Sequence, residues 1–415
     1  MLSLLLLTAL VVPLVTVNAA GEPEWLDDWT NRVKITVDSN DVAAVLHDFP
    51  VLLYLSNASG RNQDDVTFVF DELQSPENRR KIAVTTEDGV TPCYVEIEAW
   101  DTAGEEAWLW AKIPSINSSV DTVLYLYYDS TQGNNTEYVG DTNSSAGEQV
   151  WDPNYVAVWH LAENATGPRL DSTTNDNDGT PENYEGDEAT GGGRIDGADQ
   201  FEGRDDRIFV ADSASLSFAN DQLVLEAWVR LDALPATETA ILRKDNQWQI
   251  GFFDANTIRN LVRTTGVTGW TTANDEDYPF STDTWYYWTF LYNGSSIVHQ
   301  VNAQQVGATH TVTGSIVDNA NGAHVAYCVY SGGYLEGSVD EIRVSNVTRS
   351  PAWIEASYES GRDDFLAFGD AETRPMHFVG GEIRAVNPIA RVVPYLILLG
   401  SMVTFAVIRQ RNHVR

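Results

Sequence analysis

Residues 284–301 read TWYYWTFLYNGSSIVHQV, and this stretch predicts a β-hairpin. Aromatic and β-branched side chains dominate both arms, as is typical of strands. Asn293 and Gly294 separate the arms, and Asn-Gly is a dipeptide that tight hairpin turns prefer. Runs of the same kind recur along most of the chain, so we predict an all-β protein.

The strand-like runs form two groups that are separated by a polar segment. Between residues 25 and 130 they are short, and VKITV (33–37) alternates apolar and polar residues with the period of half-buried strands. Residues 131–150 are rich in Gly, Asn, Ser and Thr and predict a linker. Residues 151–370 contain the second, longer group. The predicted fold is therefore two β-sandwich (jelly-roll) domains in tandem.

Two local predictions concern single elements. VTFVFDE (66–72) is counted among the strands of the first group. SPAWIEASYESG (350–361) is the one helix-like stretch, because Ser350 fits an N-cap, Pro351 the first helical position and Gly361 a C-cap.

Both ends of the chain predict membrane targeting. Residues 1–20 resemble a secretory signal peptide, and since no Lys or Arg precedes the apolar run, a start farther upstream is left open. Residues 392–408 carry no charge and would form a helix of about 25 Å, and the basic tail RQRNHVR (409–415) follows. After a juxtamembrane linker (371–391), this pattern predicts a single transmembrane helix, an extracellular ectodomain and a cytoplasmic tail at the cell membrane. A sorting signal cleaved by a sortase-like enzyme is the alternative.

The charge balance excludes some partners. The 415 residues carry a formal net charge of −35, which excludes a nucleic-acid binder with a general basic surface and makes an anionic membrane surface a poor partner. Only 4 of the 25 basic residues are Lys, which favours a halophilic archaeon, where high salt screens the self-repulsion of an acidic surface. An ordinary acidic secreted protein is the alternative. Cys93 and Cys328 are too few for a disulfide scaffold and are predicted to be buried free thiols, with a disulfide across the domain boundary as the alternative.

Residues 151–370 resemble laminin-G-like, concanavalin-A-like lectin domains. The resemblance rests, in chain order, on VWDPNYVAVWHLAE (150–163), DSTTNDNDGT (171–180), IDGADQFEGRDDRIFVADSASLSF (195–218), LVLEAWVRL (223–231) and GSVDEIRVSNVTRSPAWIEASYES (337–360). It implies a jelly roll that binds ligands, although a fold alone does not determine a function.

Residues 25–130 resemble the domain of unknown function 2341 family, which commonly precedes a lectin-like domain in prokaryotic surface proteins. The resemblance rests on WTNRVKITVD (29–38), YVEIEAWD (94–101) and TVLYLYYD (122–129), among other runs. This family has no established activity, so the resemblance implies none here.

No catalytic or cofactor-binding residue is predicted, and the chain is predicted not to be an enzyme. Glucanases of this fold carry Glu-x-Asp-x-x-Glu within one strand, and that run is missing from the sequence. Asp340 and Glu341 are adjacent, so a regular strand would point them to opposite faces. His160 lies in the apolar run VAVWHLAE and is predicted to be a structural histidine.

Asp171 and Asp340 are the predicted metal ligands. DSTTNDNDG (171–179) concentrates the oxygen ligands that Ca²⁺ prefers. In laminin-G-like domains such a loop commonly joins the acid of a late strand, here Asp340, near one ion, so the resemblance implies a structural Ca²⁺. A solvated turn of an Asp-rich protein is the alternative.

Exposed aromatic side chains could stack on sugars, and sequons could carry glycans. The aromatic candidates in predicted loops and strand ends are Trp248, Trp270, Trp285, Tyr330 and Tyr334. The predicted N-glycosylation sites are Asn57, Asn117, Asn134, Asn143, Asn164, Asn293 and Asn346.

These observations predict a membrane-anchored cell-surface glycoprotein with a lectin-like module. Its expected role is adhesion, through recognition of a glycan or a surface protein outside the cell, without a nucleic-acid partner. The alternative is a structural role as an envelope component, an S-layer-associated protein or a virion spike. An exported glycan-processing enzyme is the third possibility.

Overall fold

The structure, a computed structural model, describes residues 23–375 apart from 191, 219, 267, 268 and 270–274. The predicted signal peptide, transmembrane helix and basic tail, and most of the juxtamembrane linker, lie outside the described residues. Within the described part of the chain, none of the helices has both the length and the apolar character needed to cross a membrane.

The first sandwich consists of two sheets and begins with eight strands. In chain order these are β1 (Asn31–Val37), β2 (Leu46–Leu55), β3 (Ile82–Thr86), β4 (Pro92–Cys93), β5 (Val95–Asp101), β6 (Glu106–Ile116), β7 (Thr122–Tyr128) and β8 (Val139–Asp141). One sheet has the order β1-β7-β3-β4, and the other has the order β2-β6-β5-β8. The predicted alternation of β1 is confirmed, because Val33, Ile35 and Val37 are fully buried and Lys34 is exposed.

Residues 66–72, predicted as a strand, instead contain helix α1 (Phe68–Leu73). Val66, Val69, Phe70 and Leu73 are all buried, and their spacing of three, four and seven residues is that of one face of a helix. The prediction was wrong because the β-branched and aromatic composition was given more weight than this spacing.

Residues 131–150, predicted as a linker, are folded onto the first sandwich. β8 pairs with β5 in parallel, and a 3-10 helix (Glu148–Val150) follows it. Val150 is fully buried in the core, so this polar segment is part of the domain. The other 3-10 helices of the described chain are Ser39–Asp41, Pro76–Asn78 and Ala214–Ser217.

The second sandwich contains the next eighteen strands. In chain order these are β9 (Tyr155–Trp159), β10 (Gly179–Glu182), β11 (Ala189–Thr190), β12 (Ala198–Glu202), β13 (Arg207–Val210), β14 (Leu223–Leu231), β15 (Thr239–Lys244), β16 (Trp248–Asp254), β17 (Thr257–Ile258), β18 (Leu261–Val262), β19 (Glu276–Asp277), β20 (Trp285–Tyr292), β21 (Ser296–Val301), β22 (Gln304–Thr311), β23 (Ala323–Val325), β24 (Tyr327–Cys328), β25 (Gly333–Tyr334) and β26 (Glu336–Ser345).

Two large sheets enclose the core of the second sandwich. The outer sheet has the order β10-β13-β23-β15-β16-β17-β19, with β18 beside β16. The seam sheet has the order β11-β12-β26-β14-β20-β21-β22, with β9 beside β26. β20 and β21 pair in an antiparallel hairpin across Asn293 and Gly294, and Gly294 has the positive φ of 85° that favours glycine, so the hairpin prediction is confirmed.

The segment after the second sandwich returns to the first. Helix α2 (Pro351–Gly361) begins as predicted, with the Ser350 hydroxyl accepting a hydrogen bond from the Trp353 N–H at 3.2 Å. The Leu52 N–H of β2 donates to the Ser360 hydroxyl at 2.9 Å. Strand β27 (Leu366–Thr373) then lies beside β1 in the sheet of the first sandwich. Elements that the sequence analysis placed in the second domain therefore complete the first.

The two sandwiches share one hydrophobic cluster. The seam sheet contributes Trp228 and Tyr287, and the first sandwich contributes Trp110 and Leu52, with Trp353 of α2 joining them. Along β14, alternate residues such as Leu225 belong instead to the core of the second sandwich. The central strands β14 and β20 of the seam sheet are thus buried on both faces, and the two sandwiches pack as a continuous body.

The packing around Asp363, just after α2, can be tested by measuring how stability depends on pH. Its carboxylate accepts a hydrogen bond from the Gly60 N–H at 2.9 Å, and burial raises the pKa of Asp363 to about 7. The native state then binds an extra proton between about pH 4 and 7, so this group's contribution to stability falls as the pH rises through that range. If Asn replaces Asp363, its side-chain amide oxygen can still accept the hydrogen bond from the Gly60 N–H. Asn also tolerates the positive φ of 57° at this position.

We therefore expect Asp363→Asn to be more stable than the wild type by about 1–2 kcal/mol at pH 8, after allowance for solvent screening, and equal to it near pH 4. Urea denaturation between pH 4 and 8 measures the difference. Asp364→Asn, at the neighbouring half-buried position whose carboxylate lies 3.6 Å from Arg362, controls for the loss of one charge. A difference that grows toward low pH would contradict the prediction.

Candidate functional site

The outer sheet presents a row of large side chains away from the core. Strand pairing aligns Phe209 of β13, His324 of β23 and Arg243 of β15 in one row. The neighbouring row, which includes Ile208 and Val325, faces the core and is buried. Because side chains alternate along a strand, the first row lies on the opposite face of the outer sheet.

Aromatic rings continue this row into a ridge. The aromatic ridge consists of Phe209, His324, Tyr327, Tyr330 and Tyr334. The ring centroids of Phe209 and His324 are 5.2 Å apart, and those of His324 and Tyr327 are 5.6 Å apart. Tyr327 and Tyr334 stack at 4.5 Å across the short β24-β25 hairpin, and Tyr330 in the turn of that hairpin is 78% exposed.

Charged side chains of both signs lie beside the ridge. The Arg207 guanidinium lies 4.9 Å from the centroid of the Tyr327 ring, and its Nε donates to Glu182 at 2.5 Å. Burial, reinforced by the charge of Arg207, lowers the pKa of His324, so its ring is neutral at pH 7. The ridge thus offers neutral aromatic faces next to a cation that donates hydrogen bonds. This combination suits a sugar, which has apolar C–H faces and hydroxyl groups.

The comparison with known families bears on this part of the chain. Residues 202–355 match the model of the concanavalin A-like lectin/glucanases superfamily. The whole aromatic ridge lies within this concanavalin A-like segment. The resemblance of residues 25–130 to the domain of unknown function 2341 family stays a prediction. No curated protein is significantly similar to the chain.

Three of the solved structures that match this chain cover about half of it, at low sequence identity. Domain 4 of AbnA, a GH43 extracellular arabinanase from Geobacillus stearothermophilus, in complex with arabinotriose, is 18% identical with a TM-score of 0.37, over 49% of this chain and 97% of that one. The botulinum neurotoxin serotype D binding domain is 13% identical with a TM-score of 0.39, over 50% of each chain. The binding domain of Paraclostridial Mosquitocidal Protein 1 is 14% identical with a TM-score of 0.38, over 50% of this chain and 52% of that one. The match thus spans about half the length of the two toxin domains.

Asp171, the first predicted metal ligand, organises its own loop. One carboxylate oxygen accepts from the N–H groups of Val158 at 3.0 Å and Thr173 at 2.9 Å, and the other accepts from the Asn177 N–H at 2.9 Å and the Thr173 hydroxyl at 3.0 Å. Burial raises the pKa of Asp171 to about 6, against the opposing effect of these hydrogen bonds. Both oxygens of Asp171 therefore have hydrogen-bond donors from the protein.

Asp340, the second predicted ligand, has a different set of partners. Its Oδ2 accepts from the N–H groups of Arg194 at 2.6 Å and Ile195 at 2.8 Å, and its buried Oδ1 has no hydrogen-bond partner among the described residues. No hydrogen bond joins Asp171 to Asp340 within the described chain. The shared calcium site stays a prediction.

The predicted aromatic candidates have different surroundings. Trp248 is fully buried in the core of the second sandwich, so its prediction as an exposed ligand-binding residue was wrong. It is the first residue of β16 and faces inward from there. Trp270 lies outside the described residues, and Trp285 is half-buried under Arg230, at 5.5 Å. Tyr330 and Tyr334 belong to the aromatic ridge.

The other members of the ridge were missed because they lie within strands. Phe209 in RIFV and His324 in AHV alternate with buried aliphatic residues. This alternation was the signal that could have placed Phe209 and His324 on an outward face.

The predicted sequons lie at accessible positions. Asn57, Asn117, Asn134, Asn164 and Asn293 are exposed, and Asn143 and Asn346 are half-buried. Their modification stays a prediction. Cys93 and Cys328 are free and buried, as predicted, and burial raises the pKa of Cys93 to about 12.

Proposed function

We propose that this protein recognises glycans through the aromatic ridge of its second sandwich. The observation that carries the proposal is the run of aromatic rings from Phe209 to Tyr334, with the exposed Tyr330 in the adjacent turn and Arg207 beside Tyr327. Aromatic faces bind the apolar side of a sugar ring, and a guanidinium donates hydrogen bonds to its hydroxyl groups. A family match that covers lectins supports the proposal.

The position of the ridge also supports a binding role. The ridge lies on the outer sheet, whereas the first sandwich packs against the seam sheet. A ligand can therefore approach the ridge without disturbing the packing between the sandwiches. In contrast, the carboxylates of Glu98 and Glu341, which come close together, are buried in that packing, where a polysaccharide could not reach them. This contrast favours binding over catalysis.

We further propose that the protein acts at the cell surface as an adhesin. The apolar stretches at both ends of the chain support export and a single membrane anchor, and the exposed sequons support glycosylation. A single ridge would bind a sugar weakly. Many anchored copies would bind a glycan-covered surface with high avidity.

Glycan-array binding by the purified protein tests the proposed function. We expect Tyr330→Ala and Tyr327→Ala each to weaken binding of the recognised glycan by about tenfold or more, because each removes an aromatic face. Tyr138→Ala, which removes a half-buried tyrosine of the first sandwich, is the matched control and should bind normally. Loss of binding in the control alone, or undiminished binding in both ridge variants, would contradict the proposed site.

A structural role is the second candidate function. The shared hydrophobic cluster makes the two sandwiches one continuous body, which suits a rigid envelope or spike component. Ordered self-assembly of the protein without any sugar would favour this role. Turnover of a polysaccharide would favour the glycan-processing enzyme.

A further inference from the structure

A group of charged side chains is buried where the two sandwiches meet. Glu96 and Glu98 come from β5 of the first sandwich. His160 directly follows β9, and Glu341 belongs to β26 of the second sandwich. The side chains of all four residues are at most 2% exposed. We call these four residues the seam cluster.

Two β-bulges aim glutamates into the seam cluster. On β5, Ile97 pairs with Leu109 and Ala99 with Trp108, which leaves Glu98 as the extra residue. A second irregularity places an extra residue in β26 opposite β14, and Glu341 there has a φ of +51°. Bulges redirect side chains and are frequent beside functional sites. The expectation that Asp340 and Glu341 point to opposite faces was wrong for this reason. Asp340 pairs across the strands with Trp228, which faces the first sandwich, and Glu341 contacts His160 on the same side.

Three of the four residues of the seam cluster bring nitrogen and oxygen atoms to one point. His160 Nδ1 forms a short hydrogen bond with Glu341 Oε1 and lies 3.4 Å from Glu98 Oε2. One such atom from each of Glu98, His160 and Glu341 lies within 4.8 Å of the other two. On the other side of the ring, His160 Nε2 is 3.4 Å from Glu96 Oε1.

The cluster has more acidic groups than basic ones. Glu96, Glu98 and Glu341 surround one imidazole, and Asp340 is buried beside them. The guanidinium that pairs with them is that of Arg343, whose Nη2 donates to Glu341 at 2.5 Å. Buried carboxylates without compensating positive charge are costly. Protons or a cation must therefore supply the missing charge.

Buried oxygen atoms without hydrogen-bond partners also indicate that a cation or protons are needed at the seam cluster. Glu98 Oε1 and Asp340 Oδ1 are buried and have no hydrogen-bond partner among the described residues. Glu96 is different, because its two oxygens accept from Trp151 Nε1 at 2.6 Å and from the Ser172 hydroxyl at 2.7 Å. Buried polar atoms in native proteins are rarely left without a partner, so a buried oxygen beside an imidazole needs an explanation.

We propose that Glu98, His160 and Glu341 bind a divalent transition-metal ion that joins the two sandwiches. One imidazole nitrogen with carboxylate oxygens is a ligand set that Zn²⁺ and Mn²⁺ accept, whereas Ca²⁺ prefers oxygen ligands alone. Burial of all three ligands suits a structural ion.

The test uses the full-length chain, stripped with EDTA, dialysed and equilibrated with Zn²⁺ or Mn²⁺. We expect the protein to retain one ion per chain after gel filtration, measured by mass spectrometry of the elements. We also expect its melting temperature to rise by about 3–5 °C. Glu98→Gln and His160→Ala should each abolish retention of the ion and the rise in melting temperature.

His310→Ala is the matched control variant. His310 Nε2 pairs with Glu276 Oε1 at 2.5 Å on the surface of the second sandwich, so the variant also removes an imidazole beside a glutamate. It should retain the ion as the wild type does. If His160→Ala does not fold, Glu98→Gln decides the question, because it keeps the shape of the side chain.

Co²⁺ gives a readout that does not depend on stability. The ring centroids of Trp110 and Trp151 lie 6.1 and 5.8 Å from that of His160, so Co²⁺ at the cluster should quench their fluorescence. Glu98→Gln should remove this quenching. Retention of neither Zn²⁺ nor Mn²⁺, equal retention by Glu98→Gln, or retention of Ca²⁺ in their place would overturn the proposal. Protons would then neutralise the seam cluster.

Discussion

Trp353→Ala is expected to lower the free energy of unfolding by about 4 kcal/mol, because it removes a large buried side chain and leaves a cavity. The Trp353 ring meets Phe49 of the first sandwich at 4.8 Å and Tyr155 of the second at 6.5 Å. The Arg349 guanidinium lies 4.2 Å from the centroid of the same ring. The substitution therefore weakens the packing of α2 against both sandwiches. We expect calorimetry to resolve two unfolding transitions for the variant and one for the wild type.

Trp285→Ala is the matched control for this experiment. Trp285 is half-buried at the start of β20, so its loss should cost about 1–2 kcal/mol and leave a single transition. A cost for Trp353→Ala no larger than that of the control, with a single transition retained, would show that α2 does not couple the two sandwiches.

The second large effect is expected for Asp171→Ala, which should lower the free energy of unfolding by about 3 kcal/mol. The carboxylate accepts four hydrogen bonds from Val158, Thr173 and Asn177, and alanine leaves these donors unpaired in a buried loop. Removal of a buried charge offsets part of the loss. Urea denaturation at pH 7 measures the difference.

Asp187→Ala controls for the loss of one negative charge. Asp187 is exposed in another acidic loop, so its substitution should change stability by less than about 0.5 kcal/mol. Equal stabilities for the two variants would mean that the loop does not depend on Asp171. If added Ca²⁺ stabilises the wild type but not Asp171→Ala, the calcium prediction would gain support independently of the hydrogen bonds.

Much of the fold could be predicted because local patterns determine it. The hairpin at Asn293 and Gly294, the alternation of β1 and the cap of α2 at Ser350 each depend on residues close in sequence. Helix α1 could also have been predicted, since the spacing of Val69 and Leu73 is helical. There the composition and the spacing pointed to different structures.

The return of the chain to the first sandwich could not be predicted from local patterns. β27 looks like any other strand, and its pairing with β1 depends on the packing of every element between them. The candidate sites also divide into residues that local patterns predict and residues that depend on long-range packing. Tyr330 was predictable as an exposed aromatic residue of a turn. The seam cluster depends on bulges at Glu98 and Glu341, and a simple alternation of faces cannot reveal these.

The pairing of β27 with β1 has a consequence for biosynthesis. Arg32 Nε donates to Glu372 Oε2 at 2.7 Å across 340 positions of sequence. At 5–20 residues per second, a ribosome needs roughly 17–70 s to make the intervening chain. During that time β1 emerges with one edge unpaired, and such long-range pairing is intrinsically slow. Translation of the first sandwich thus begins before that of the second, but its folding is completed afterwards. A truncated chain that ends after the second sandwich would leave the edge of β1 unpaired and open to aggregation.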